Sequence, residues 1–188
     1  MSRSYTTVEE LENYLTINID DNFEVQIEKW IEAVSNFVAE TAGREFLAGD
    51  TETKHYDGNN KCVLSINEAV EVTGLTIGEE VINLDDVILY PYNKLPIRRL
   101  FLKKGVFPYG LRNIAVEGKF GASTAIPEDI RFITTVYVAG IILAQTQQEG
   151  EVESEKIGNY SVKYTTEAEK NDFKMAKEML NVRRKLVI

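Results

Sequence analysis

The chain has 188 residues, 21 Lys and Arg against 30 Asp and Glu, and a net charge of −9. That length fits one domain, or one domain carrying an inserted subdomain, and the surface scaling law lets roughly 70% of the extended chain's surface be buried without staples. The longest apolar run, 136–144, is nine residues where a bilayer span needs about 20, and one Cys with one His excludes a disulfide framework and a Cys/His zinc cage.

The opening predicts helix, turn, longer helix. Thr7-Val8-Glu9-Glu10 is a capping box, with a short helix to about Leu15. From Asn22, the residues Phe23, Ile27, Trp30, Ile31, Val34, Phe37 and Val38 fall at helical spacing, and Gly43 is placed as the stop. Trp30 sits in register with that stripe and is expected in the core.

From about 51 to 122 the period changes. Residues 54–56 and 61–66, joined by Asp57-Gly58-Asn59-Asn60, predict a hairpin. Segments 70–77, 81–90, 97–102 and 113–117 are further strand candidates, separated by Gly, Pro and Asn. Cys62 is expected as a buried small hydrophobe in a strand.

Pro127 opens a third helix with Glu128 and Asp129 in its first turn. Residues 130–148 are apolar on most faces at the centre, so this helix should lie deepest. The glutamates at 149, 151, 153 and 155 suggest a solvated, mobile loop, and 157–164 alternates as a strand. Thr166-Glu167-Ala168-Glu169 is a second capping box, starting a final helix whose core stripe is Phe173, Ala176 and Leu180.

The expected fold class is therefore α+β: a mainly helical bundle of about four helices with an inserted small antiparallel β subdomain, divided as 1–50, 51–122 and 123–188. No internal repeat or long heptad run is present.

Charge is unevenly spread: residues 1–50 hold three basic against eleven acidic side chains, 51–120 nine against nine, and 121–188 nine against ten. An acidic patch of this kind repels a phosphate backbone, which speaks against tight nucleic-acid binding and leaves room for DNA to pass nearby. With no apolar stretch of a secretory leader at the N-terminus, synthesis in the cytoplasm is expected.

Catalytic chemistry is hard to assemble. The sequence has no phosphate-binding glycine loop, nucleophile elbow or His-Glu-x-x-His motif. His55 is expected as a strand residue beside a turn, and the pairs Asp20/Asp21 and Asp85/Asp86 fall where Asp serves turns and helix starts. The acidic loop lacks the spacing of a calcium site, and Asn159-Tyr160-Ser161 matches a glycosylation acceptor that has no use without secretion.

Two N-terminal helices ending in Gly43-Arg44-Glu45-Phe46, a β segment closing on Asn113-Ile-Ala-Val-Glu-Gly-Lys-Phe-Gly, the entry Ile126-Pro-Glu-Asp-Ile, and Ile157-Gly-Asn-Tyr-Ser-Val-Lys-Tyr before a last helix resemble the head-tail connector proteins of tailed phages. These are also called adaptor or head-completion proteins. The resemblance implies a non-enzymatic virion protein of the neck, made in the host bacterium, without cofactor or metal. It implies a cyclic homo-oligomer, commonly a dodecamer, beneath the portal protein, which extends the DNA channel without sequence-specific binding and receives the next neck or tail component.

Three features agree with that reading. The acidic face at Glu24, Glu28, Glu32 and Glu40 suits a channel past which DNA slides, or an ordinary solvated helix face. Ile157, Tyr160, Val162 and Tyr164 suit strand addition to a neighbouring subunit or neck protein, or a strand tucked on its own subunit. Arg183, Arg184 and Lys185, followed by Leu186, Val187 and Ile188, form a basic and apolar tail placed for portal contact, or one that caps its own helix. A heterologous interface that closes makes a pore, which an isologous pair cannot. The β insertion, about seventy residues, exceeds the minimal helical members of the family, and would widen the ring's rim or contact another neck protein.

Three alternatives stand beside it. One is a head-closure or tail-completion ring protein further down the neck. A second is a small-molecule or peptide-binding module lined by Tyr90, Tyr92, Phe107 and Tyr109. The third is an enzyme that uses Asp85 and Asp86 with an added metal.

Overall fold

The computed structural model describes residues 4–146, 154–157, 160–163 and 166–184. The chain is α+β and divides into two units, one formed by residues 1–44 with 126–188 and the other by residues 45–125.

The helical unit contains α1 (Val8–Leu15), α2 (Asp21–Ala42), α3 (Glu128–Thr146) and α4 (Glu167–Arg183), with a two-stranded hairpin of β7 (Ser154–Ile157) and β8 (Tyr160–Lys163) between α3 and α4. Both capping boxes form: the Thr7 and Thr166 hydroxyls accept from the backbone N–H of Glu10 and Glu169, whose carboxylates accept from the cap N–H. Gly43 ends α2 at φ 65°, donating back to Ala39 and Glu40. Helix α3 carries Ile130, Ile133, Val136, Tyr137, Val138, Ala139, Ile141 and Ile142 in the core, so it is buried on nearly all faces. Its two buried threonines return their hydroxyls to carbonyls one turn back, Thr134 to Ile130 and Thr135 to Arg131.

The remaining elements pack on α3. Tyr137 has its ring centroid 5.0 Å from Phe173 of α4 and 6.3 Å from Phe37 of α2. Val162 of β8 is buried against α3 at Gly140, where an added Cβ would stand 2.1 Å from a Val162 methyl. The stripe Phe173, Ala176 and Leu180 is buried as expected, and so are Ile27, Ile31, Val34 and Val38 of α2, with Trp30 half-buried. Phe23 is not: it is 63% exposed, because α2 extends past its packing partners at this end.

The second unit holds β1 (Thr51–Gly58), β2 (Val63–Ile77), β3 (Glu80–Val81), β4 (Val87–Tyr90), β5 (Ile97–Leu102) and β6 (Gly110–Phe120), in one antiparallel sheet of order β1-β6-β2-β5-β4 with β3 on β2. Its own core comprises Leu64, Ile66, Val72, Leu75, Ile97, Leu100, Phe107, Ile114, Val116 and Phe120 with their neighbours. The expected hairpin of 54–56 with 61–66 does not form. β6 lies between β1 and β2, pairing Thr51 with Lys119 on one side and Leu75 with Val116 on the other, because its alternating Ile114, Val116 and Phe120 join the core that the central strand β2 also lines. The two segments expected at 61–66 and 70–77 are one strand: β2 pairs with β5 through Val63–Ser65 and with β6 beyond Ala69, turning between them through register shifts.

Residues 81–90 hold two short strands with a 3-10 turn at Leu84–Asp86 between them. Cys62 is exposed, just ahead of β2, since the connection from β1 runs along the surface there. Of residues 157–164, Ile157 ends β7 and Tyr160–Lys163 form β8, so they do not make one strand; Glu155 of the expected acidic loop lies in β7, and residues 149, 151, 153, 158, 159 and 164 lie outside the described residues.

Gly140 is the most exacting position in the helical unit. Gly140→Leu is expected to lower stability by about 1–3 kcal/mol and to speed amide exchange in β8, while Gly140→Ala combined with Val162→Ala should cost less than the sum of the two single changes; denaturation curves and hydrogen exchange check both.

Candidate functional site

Interaction surfaces are the functional features to consider, because the chemistry-bearing residues are dispersed. His55 is an exposed residue of β1. Asp85 and Asp86 are exposed in the 3-10 turn, where the Asn83 side chain accepts from the Asp85 N–H. Asp20 caps α2 through the Asn22 N–H. Among the described residues no group of three or more His, Cys, Asp or Glu is placed to hold a metal ion.

The proposed pocket residues are not gathered either. Phe107 is fully buried in the sheet's core. Tyr92 lines a shallow depression of about 390 Å³ with Pro91 and Leu95, Tyr90 packs edge-on against Phe101, and Tyr109 lies outside that depression.

The acidic helix face is real and is part of a groove. Glu24, Glu28 and Glu32 recur every fourth residue on α2 and therefore share one face. They line an open groove of about 610 Å³ together with Lys29, Val25 and Ile31 of α2 and with Thr6, Thr7 and Val8 at the start of α1. Val25 is 60% exposed in it. Glu40 is also exposed, but two turns further on and outside the groove.

One wall of the groove is held by a network the sequence reading missed apart from its capping box. The Glu10 carboxylate accepts from the Thr6 hydroxyl at 2.8 Å, from the Thr7 backbone N–H at 3.0 Å and from Arg131 of α3 at 2.5 Å. The Thr6 and Thr135 hydroxyls lie 2.6 Å apart, and the Tyr5 N–H donates to Ser35 of α2. Burial alone would raise the Glu10 pKa, but the hydrogen bonds from Thr6, Arg131 and Thr7 and the Arg131 charge together hold it below the usual carboxylate value.

The C-terminal tail is divided. Arg183 is engaged within its own unit, its Nε 2.6 Å from Asp129 Oδ2 in the first turn of α3. Arg184 follows as the exposed C-cap, and Lys185, Leu186, Val187 and Ile188 lie outside the described residues. Of the strand residues, Val162 is buried on α3, Ile157 and Tyr160 are paired in register beside the hairpin turn, and Tyr164 lies outside the described residues.

A second unforeseen surface lies at one end of the sheet. Tyr109 and Leu111 are 83% and 81% exposed, on a tip where β1 ends and β6 begins. The Asn113 side chain accepts from the Gly58 N–H and donates to the Pro108 carbonyl, both at 2.9 Å. The Asp57 carboxylate accepts from the Arg112 N–H at 2.6 Å, which fixes Arg112 at φ 51°, a conformation costly for a side chain of this kind. The only sequence signal was the Gly and Pro punctuation at 58, 108 and 110.

The model of the head completion protein family matches residues 4–139. The chain belongs to the head completion protein family. The fold is shared by two solved structures, the neck of an empty gene transfer agent particle and the virion of a native gene transfer agent particle. Their TM-scores are both 0.59, at 12% and 11% identity, each match covering 96% of this chain and 90% of the other. No curated protein matches the chain. Head completion membership makes this a structural protein of the virion's head-tail neck, not an enzyme.

The Glu10 network has a definite pH signature. Because the folded-state pKa is lowered, its contribution is complete above the ordinary carboxylate range and is lost as pH falls through the folded value. Glu10→Gln is expected to cost roughly 1 kcal/mol at pH 7, with the gap to wild type closing as pH falls through and below the ordinary carboxylate range; urea denaturation at several pH values checks this.

Proposed function

We propose that this head completion protein assembles as a cyclic homo-oligomer beneath the portal protein, extends the DNA channel, and presents its far side to the next neck or tail component. The observation that carries the reading is the family match over residues 4–139. It is supported by the shared fold of the gene transfer agent neck, a structure computed with sixfold symmetry. A ring of twelve is compatible with such symmetry, and a heterologous contact that closes supplies the pore.

The charge supports passage rather than capture of DNA. The first fifty residues hold eleven acidic against three basic side chains, so a phosphate backbone near them gains no counterion-release affinity. The exposed glutamates clear of the groove, Glu40 among them, are the channel face we favour; Glu24, Glu28 and Glu32 share their stretch with exposed Phe23 and Val25, apolar groups suited to a protein contact.

For the portal we assign the segment from Arg184 through Lys185, Leu186, Val187 and Ile188, since Arg183 is committed to Asp129. For the neck partner we assign the β7–β8 hairpin and the residues beside it, Ile157, Tyr160 and Tyr164, by strand addition.

Deleting 184–188 should leave the thermal transition unchanged and abolish attachment to purified portal in a co-sedimentation assay, whereas Arg183→Ala should lower stability; undiminished attachment of the truncated chain would sink the tail assignment. Negative-stain images of the portal-bound protein are expected to show a closed ring wide enough for duplex DNA, and a single bound copy would refute the ring.

A further inference from the structure

We draw no further inference here: the strongest candidate, the open groove between the start of α1 and residues 24–32 of α2, with Glu24, Glu28 and Glu32 around Val8, Val25 and Ile31, carries nothing because nothing in the structure shows what covers it.

Discussion

Helix α3 is the constraint on which the helical unit depends. It is apolar through most of its circumference, so it is stable only if neighbours cover every side, and each neighbour is fastened to it by a different device. α1 is tied by Glu10 on Arg131, α2 by Phe37 on Tyr137, α4 by Phe173 on Tyr137 and by Arg183 on Asp129, and the β7–β8 hairpin by Val162 on Gly140. Glycine in a helix interior costs about 1 kcal/mol relative to alanine; at position 140 that cost is offset by the seat it leaves for Val162. Because Thr6 and Thr7, which hydrogen-bond Glu10, also line the groove, the same network that docks α1 on α3 borders a surface on the outside.

The sheet unit follows another logic. It has a complete core of its own, which frees its surface residues from stabilising duties and lets the tip carry large apolar side chains in the open. The buried carboxylate of Glu68, in the irregular stretch of β2 between its two partners, is met by Arg98 at 3.0 Å, so the corner in β2 is held by a charge pair where regular ladder bonds are interrupted. The Asp57–Arg112 and Asn113–Gly58 hydrogen bonds likewise hold the exposed end of the sheet in one arrangement.

What was legible in the sequence was local. Both capping boxes, the Gly43 stop and the stripe of α4 depend on residues within one or two turns of one another, and they stand where the spacing puts them. Phe23 shows the limit: helical periodicity identifies a face but not where the partner beneath it ends. The hairpin at Asp57-Gly58-Asn59-Asn60 fails for a related reason. Those turn residues fit a hairpin and a crossing connection equally well, and the choice is made by β6, more than fifty residues later in the chain, whose Ile114, Val116 and Phe120 join the core and insert it between β1 and β2. Cys62 was misplaced with it. The groove and the tip were illegible because each is assembled from separate segments, Thr6–Val8 with α2 and Gly58 with Gly110, that only tertiary contacts bring together.

The distribution of charge then takes on a mechanical sense. Nearly all of the −9 lies in the first fifty residues, while the segment that forms the sheet is balanced, nine basic against nine acidic. Like-signed surfaces repel, so the acidic first fifty residues disfavour contact with the same stretch of another copy, while the balanced segment carries no such penalty. Surface charges of this kind act mainly on encounter and register, and they weaken as salt shortens the screening length to about 8 Å at physiological ionic strength. Apolar side chains desolvated in an interface, insensitive to salt, govern instead how long a contact lasts. A lasting contact at the neck draws on both properties, with charge setting the orientation of approach and apolar side chains the time it holds.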